Sequence, residues 1–151
     1  MLASGLTKGA LCFSQYPWYG GRVPRVVPPV TDADNAFFWE GVGEGRLLLQ
    51  RCASCGATRH PPGPMCPECQ SLAWDAVEAS GRGTIYSWVV SRHPTEPDAE
   101  PRTVVLVDLE EGVRFVSNLV GGGDAPTNGA AVELCFATID GVALPQFRLV
   151  R

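Results

Sequence analysis

The C-terminal half of the chain has the pattern of short apolar runs that is typical of a β protein. From residue 81 onward, β-branched and aromatic residues are concentrated in five runs, at 84–90, 103–109, 113–120, 131–137 and 146–150. Turn-forming pairs such as Glu111-Gly112 and Asp140-Gly141 lie between runs. In the fourth run, Val132, Leu134 and Phe136 alternate with other residues, which predicts a strand buried on one face.

The third run, 113–120, alternates less cleanly, because Val116 and Val120 add apolar groups to the face of Arg114. We expect this strand to be covered on both sides or bent by a β-bulge. A parallel α/β sheet is excluded, since no helical period separates the five runs. The predicted fold is therefore mainly β. We predict a closed or nearly closed five-stranded barrel of the OB type, because closing the sheet removes its exposed edges.

A short helix is predicted ahead of the barrel. Thr31 and Asp34 have the spacing of a capping box, in which two side chains satisfy free amides at a helix start. The apolar run 36–39 follows, and the alternate glycines after it supply the stop. Residues 47–49 are predicted to form a short strand that leads to a group of cysteines.

The N-terminal segment has a different composition. Residues 16–30 contain four prolines and two glycines, so we expect an extended, irregular conformation. Its aromatic residues are too apolar for a free tail. Two interpretations remain open: an arm that packs against the protein or a partner, and a linker left by trimming a longer polypeptide. The predicted organisation is an arm or linker, a short helix, a cysteine ribbon and an OB barrel, at 1–31, 32–46, 47–79 and 80–151.

Four of the six cysteines form two pairs with metal-ligand spacing. The pattern is Cys52-x2-Cys55-x10-Cys66-x2-Cys69. Each pair can wrap one side of a cation, with the amides of a tight turn directed at the sulfurs. Gly56 supplies the positive φ that such a knuckle needs, whereas Gln70 stands in the equivalent place of the second knuckle. The pattern is typical of a structural four-thiolate zinc site, closed to substrate.

Two other states of these cysteines are compatible with their spacing. Disulfides are disfavoured because the chain shows no secretory signal and its thiols should stay reduced. Iron takes the same four-sulfur geometry, and the sequence alone does not separate it from zinc. Zinc is the predicted metal because no other redox group is visible. The ribbon is rich in proline and poor in apolar residues, so we expect the metal to stabilise it.

The remaining candidate groups do not form a recognisable catalytic set. Cys12 and Cys135 lack metal-ligand spacing, and Cys135 is interpreted as a packed side chain. His60, inside the ribbon, is interpreted as a structural or surface residue, and His93 as part of an exposed loop. No catalytic residue is assigned, which favours a binding or scaffold module over a self-sufficient enzyme.

Charge and hydropathy disfavour two other classes of protein. Three of the 12 basic residues precede position 32, whereas all 16 acidic residues follow position 31. Residues 32–151 therefore contain 9 basic and 16 acidic residues. This balance disfavours nucleic acid as a partner, because binding it needs a basic surface. No stretch approaches the ~20 apolar residues that cross a bilayer. We expect a cytoplasmic protein with no membrane partner.

Several motifs together resemble those of a known family. It is called domain of unknown function thirty-five and joins a rubredoxin-like zinc ribbon to an OB fold. The resemblance covers about 34–148, with motifs Phe38-Trp39-x-Gly41, Cys52-x2-Cys55-Gly56, Pro61-Pro62, Cys66-Pro67-x-Cys69, Ser80-Gly81-Arg82-Gly83-Thr84-Ile85-Tyr86-Ser87 and Gln146-Phe147-Arg148.

The resemblance implies a non-catalytic partner of a thiolase-fold enzyme that acts on acyl-CoA. In some members the domains follow a MaoC-like hydratase domain and serve a thiolase-like aldolase in steroid side-chain degradation, and the proline-rich start looks like such a connection. We therefore expect the partner to perform retro-aldol cleavage of a β-hydroxyacyl-CoA. A thiolase or a hydroxymethylglutaryl-CoA synthase is the alternative partner.

The resemblance carries over only Cys52, Cys55, Cys66 and Cys69, as metal ligands. No substrate-binding residue is assigned. Acyl-CoA carries phosphates that Arg or Lys would bind, and Arg82, Arg92 and Arg114 qualify by residue type alone.

Two hypotheses from other classes stay open. The first is a single-stranded nucleic-acid binder, in which Tyr86, Trp88 and Phe115 would stack on bases. The second is a stand-alone enzyme with its site at a dimer interface.

Overall fold

The computed structural model of the protein describes residues 26, 28–92, 94, 95, 98, 100–121 and 125–150. Its elements are α1 (Ala36–Gly43), β1 (Leu48–Cys52), β2 (Thr58–Arg59), β3 (Trp74–Glu78), β4 (Arg82–Ser91), β5 (Arg102–Leu109), β6 (Arg114–Val120), β7 (Ala131–Ile139) and β8 (Val142–Leu149). Strands β2-β1-β3 form an antiparallel sheet, and β4-β5-β6-β8-β7 form a closed barrel. The expected mainly-β fold with a five-stranded barrel is confirmed.

The barrel closes through one short parallel contact. Strands β4, β5 and β6 form an antiparallel meander, and β7 and β8 form a hairpin. The two parts join where β6 runs parallel to β8, with Leu119 opposite Phe147 and Val120 opposite Arg148. They join again where the start of β4 pairs with β7. This order is that of a Greek-key OB barrel.

One hydrophobic core joins the small sheet, the helix and the barrel. Ile85, Val107 and Phe115 are buried inside the barrel. Phe38 from α1 and Leu49 from β1 belong to the same buried cluster. The helix and the ribbon sheet therefore cover one side of the barrel, and the burial of their apolar side chains holds the two parts together.

The expectation for the third barrel strand is only partly met. β6 pairs with β5 in continuous register from Arg114 to Leu119, so it is not bulged along this ladder. Val116 is 63% exposed, whereas the side chains from Ser117 to Val120 are half-buried on both faces. The register shift lies in β4, between Ile85 and Ser87. This strand pairs with both β5 and β7, and an extra residue lets it bend where the barrel closes.

The capping box predicted from Thr31 and Asp34 was also wrong. The residue at the helix N-cap is Asn35, and the turn before it is closed by Asp32. The Oδ1 atom of Asp32 accepts hydrogen bonds from the amides of Asp34 and Asn35, each at 3.0 Å, while Asn35 Oδ1 accepts one from the Asp32 amide at 3.0 Å. At the other end the glycine stop is present, with Gly45 at φ +75°.

The sequence missed β2 and β3 and the true length of several other strands. Four of the five side chains of β3 are exposed, so it has no alternating pattern to detect. Its pairing with β1 defines it instead. β1 extends to Cys52, and β8 begins at Val142, directly after the predicted Asp140-Gly141 turn, where both residues have positive φ.

Candidate metal centre

The two cysteine pairs lie on matching turns of the ribbon. In the first, the Gly56 amide donates to the carbonyl of Cys52 at 2.9 Å, and the Cys52 amide donates to the carbonyl of Ala57 at 2.9 Å. Gly56 has φ +78°, as the sequence predicts for this knuckle. The first turn follows directly from β1, so the small sheet fixes the position of Cys52.

The second turn repeats this pattern with different residues. The Gln70 amide donates to the carbonyl of Cys66 at 2.9 Å, and the Cys66 amide donates to the carbonyl of Ser71 at 2.9 Å. Gln70 has φ +61°. A hydrogen bond of 2.8 Å from the Ser54 hydroxyl to the Ser71 hydroxyl links the two turns. The chain therefore presents two equivalent knuckles face to face.

The four sulfurs meet at one point. The Sγ atoms of Cys52 and Cys69 are 3.6 Å apart, as are those of Cys55 and Cys66, and all four lie within 4.8 Å of one another. The four cysteines are free, so the disulfide alternative is wrong for this cluster. Tetrahedral zinc with Zn–S bonds of about 2.3 Å places its ligand sulfurs about 3.8 Å apart. The donor set and its spacing fit such an ion.

Backbone amides prepare two of the thiols for deprotonation. The amide of Cys55, followed by that of Ser54, hydrogen-bonds to the Cys52 sulfur and lowers the pKa of Cys52 to about 6. The amides of Cys69 and Glu68 likewise lower the pKa of Cys66. Both of these cysteines are buried. The inner half of the cluster therefore favours thiolate, the form that binds metal.

The outer two thiols show the opposite shift. The Ser71 amide acts to lower the pKa of Cys69, but the neighbouring thiols of Cys52 and Cys55 outweigh it and raise that pKa to about 12. The pKa of Cys55 is raised too: the Ala57 amide and the Cys69 thiol act to lower it, but desolvation and the thiols of Cys52 and Cys66 outweigh them. Four sulfurs at this distance compete for negative charge, and a divalent cation would relieve the competition.

A buried glutamine, which the sequence did not single out, secures the loop between the knuckles. Gln50 on β1 is 1% exposed. Its Oε1 atom accepts hydrogen bonds from Arg59 Nε and from the Gly63 amide, both at 2.8 Å. Arg59 also donates to the carbonyl of Gly63 at 2.9 Å. A polar residue directly after the leucines 47–49 is the one signal that could have indicated this role.

His60 connects the ribbon to the barrel. Its ring centroid lies 4.4 Å from that of Phe115 and 5.2 Å from that of Phe38. Burial lowers the pKa of His60 to about 4, so the ring is neutral near pH 7. This placement supports the structural interpretation of His60.

Two of the arginines considered for phosphate binding are paired with acids. Arg82 makes two hydrogen bonds to Glu110, of 2.9 and 2.7 Å. Arg114 donates to Asp108 at 2.8 Å and lies over the Tyr86 ring, 3.7 Å from its centroid. These contacts compensate both charges, and the geometry gives no support to a phosphate site made by them.

The other candidates are dispersed. Arg92 is exposed one residue beyond β4, and Cys135 is fully buried on β7, away from the four-cysteine cluster. Phe115 is 3% exposed, so it is not available to stack on a base. Cys12 and His93 lie outside the described residues, as does most of the proposed arm 1–31. Within the described part of the chain, no helix is long and apolar enough to span a bilayer.

Family models match most of the chain. Residues 39–75 match "ChsH2, rubredoxin-like zinc ribbon domain", and residues 76–137 match "ChsH2, C-terminal OB-fold domain". The boundary between the two matches falls within β3, between the cysteine cluster and the barrel.

Curated relatives share this region. A Thermomonospora curvata protein named "Probable enoyl-CoA hydratase alpha subunit" is 48% identical over 80% of this chain and 39% of its own length. The "3-oxo-4,17-pregnadiene-20-carboxyl-CoA hydratase alpha subunit" of Mycobacterium tuberculosis is 43% identical over 64% of this chain and 31% of its own length. The chain thus spans less than half of these two relatives. A "DUF35 domain-containing scaffold protein" of Methanothermobacter thermautotrophicus is 34% identical over 62% of this chain and 73% of its own length.

A solved structure agrees with both matches. A chain in the structure titled "Ltp2-ChsH2(DUF35) aldolase" is 47% identical to this one, with a TM-score of 0.73. The similarity covers 80% of this chain and 98% of that one.

Proposed function

Because the chain belongs to the DUF35 family, as a rubredoxin-like zinc ribbon joined to an OB fold of the ChsH2 type, we propose that it is a non-catalytic accessory subunit of a thiolase-fold enzyme that acts on acyl-CoA. The observation that carries this proposal is the 47% identity to a chain solved as part of an Ltp2-ChsH2(DUF35) aldolase, 98% of which is covered.

The partner in this proposal is an aldolase that cleaves a β-hydroxyacyl-CoA. In the retro-aldol reaction the bond between the α and β carbons breaks, the β-hydroxyl loses its proton as its oxygen becomes a carbonyl, and the α carbon gains a proton. Hydratases produce β-hydroxyacyl-CoA, and two relatives are named as hydratase subunits. One of these names specifies a pregnadiene carboxyl-CoA, which supports steroid side-chain degradation.

Three of the described side chains that could do chemistry make structural contacts instead. His60 is stacked on Phe115, and Arg82 and Arg114 are paired with acids. These contacts support a subunit that holds its partner in an active form and leaves proton transfer to that partner.

The proposed metal is structural zinc. Cys52, Cys55, Cys66 and Cys69 would hold it, and when bound it supplies rigidity and no catalytic position, because four thiolates fill its coordination shell. The proposed units remain 1–31 for the arm or linker, 32–46 for the helix, 47–79 for the ribbon and 80–151 for the barrel.

Purification from the native cell tests the proposal. The chain carrying an affinity tag should retain a thiolase-fold enzyme, identified by mass spectrometry, that a tagged unrelated protein does not retain. The isolated complex should cleave a β-hydroxyacyl-CoA, and the 151-residue chain alone should not. Turnover by the chain alone would contradict the accessory role.

A further inference from the structure

One part of the barrel exposes apolar side chains on both faces of a strand. Trp88, Val89 and Val90, in the second half of β4, are 36%, 58% and 43% exposed. Consecutive residues of a strand point to opposite faces, so this part of the strand is apolar and accessible on both. A barrel strand normally buries one face and exposes a polar one.

The same part of β4 is a sheet edge. β4 pairs with β7 only from Arg82 to Thr84, and one further pair of hydrogen bonds joins Ile85 to 129–130. β5 continues along the other side as far as Ser91. From 86 to 91, the described part of the chain therefore gives β4 a ladder on one side only. Among the described residues, none pairs with the backbone groups on its other side, and such groups can accept a further strand.

Neighbouring residues extend the surface. Val116 on β6 is 63% exposed and lies opposite Leu106 of β5, which in turn lies opposite Ser87. Val116 therefore shares the outer face with Val89. We call the group Tyr86, Trp88, Val89, Val90 and Val116 the β4 edge surface.

The cation that lies over Tyr86 is compensated within the chain, whereas Arg92 and Arg102 are exposed at the far end of β4. The guanidinium of Arg114 lies over Tyr86 and is paired with Asp108. The chain as a whole carries a net charge of −4. Apolar side chains together with an unpaired backbone edge match an extended protein segment, which supplies both apolar contacts and ladder hydrogen bonds. They match a polyanion poorly.

We propose that an extended segment of the thiolase-fold partner subunit docks on the β4 edge surface and pairs with β4 between residues 86 and 91. This inference rests on the proposed function. The partner is favoured over a second copy of this chain because the solved chain that is 47% identical belongs to a structure whose title joins Ltp2 with ChsH2(DUF35).

Binding to a defined partner tests the surface. The probe is the purified Ltp2 subunit of that solved aldolase, titrated with the full chain by calorimetry. Val89→Glu should raise Kd by about 30-fold or more, as expected for a central interface residue. Val30→Glu changes a valine that is 85% exposed and outside the surface, and should leave Kd within about twofold of the native value. Circular dichroism and metal content establish that each variant is folded.

Hydrogen exchange on the native chain gives a second readout that needs no substitution. Amides between 86 and 91 should exchange more slowly when Ltp2 is bound. Suppose that the native chain binds Ltp2, that these amides are not protected, and that Val89→Glu binds Ltp2 with the native Kd. The docking surface is then wrong, while the proposed function stands. If the native chain binds neither Ltp2 nor a thiolase-fold enzyme recovered from the native cell, both are wrong. Self-association that Val89→Glu abolishes, without protection by Ltp2, would assign the surface to a second copy and overturn the inference.

Discussion

Gln70 adopts the same left-handed backbone conformation in the second knuckle as Gly56 does in the first, with φ of +61° and +78°. The amide of each donates to the carbonyl of the cysteine four positions earlier, at 2.9 Å in both cases. Glycine takes this conformation without steric cost, whereas a residue with a Cβ atom does not. The two halves of the metal centre are thus equal in hydrogen bonding and unequal in backbone strain.

The first prediction follows from this difference. Gln70→Gly should raise the free energy of unfolding of the metal-loaded protein by about 1 kcal/mol, because it relieves the left-handed strain. The matched change Gly56→Gln should lower it by a similar amount. Denaturant titration of the three proteins measures both. A destabilised Gln70→Gly protein would show that the Gln70 side chain contributes more than its backbone costs.

The second prediction concerns removal of one ligand. Cys55→Ser should lose the metal and the ordered structure of the loops between 53 and 73, because structural zinc contributes on the order of 10 kcal/mol to such a lobe. The barrel strands should remain. Circular dichroism, metal analysis and hydrogen exchange distinguish the two parts. Ser54→Ala, which removes only the hydroxyl bond to Ser71, serves as the control and should keep the metal. Unchanged metal affinity in Cys55→Ser would disprove its assignment as a ligand.

The sequence predicted the parts of this structure that depend on local pattern. The cysteine spacing was sufficient to bring four sulfurs together, and strands with apolar runs were found at all five barrel positions. The exposed strand β3 was missed, because its pairing with β1 and not its own pattern defines it. The bulge in β4 was missed for a similar reason: it depends on which two strands β4 must pair with.

Contacts between residues far apart in the chain could not be predicted from the sequence either. The hydrogen bonds of Gln50 with Arg59 and Gly63 depend on how the ribbon folds back on itself. The stacking of His60 on Phe115 joins a residue that follows β2 of the ribbon to a residue on β6 of the barrel. Neither contact joins residues at a fixed sequence separation, so the local hydrophobic pattern does not predict it.

The third prediction concerns acid. The pKa of His60 is about 4 in the folded protein, below its ordinary value of 6.5, so the unfolded chain binds this proton more readily. Above pH 6.5 His60 is neutral in both states and does not change stability with pH. As pH falls from 6.5 towards 4, its contribution should destabilise the fold.

His60→Phe isolates this effect, because it keeps an aromatic ring against Phe115 and removes the titrating group. Urea titrations at several pH values should show the native protein losing stability relative to His60→Phe between pH 6.5 and pH 4. Any acid-induced metal loss occurs in both proteins and largely cancels in the difference. Two stability profiles that stay parallel throughout this range would contradict the depressed pKa.

The fourth prediction tests the close contact between β4 and β5. A Cβ atom at Gly83 would lie 2.5 Å from the carbonyl oxygen of Asp108 and 2.7 Å from a methyl carbon of Val107. The oxygen belongs to the backbone of the barrel and cannot rotate away, so Gly83→Ala should lower the free energy of unfolding by about 2–3 kcal/mol.

Gly43→Ala is the control, because no atom lies within 4 Å of a Cβ there and alanine favours the helix. Thermal and denaturant unfolding should rank Gly43→Ala at or above the native protein and Gly83→Ala well below it. Equal stability of the two variants would show that the strands can separate at Gly83 at little cost.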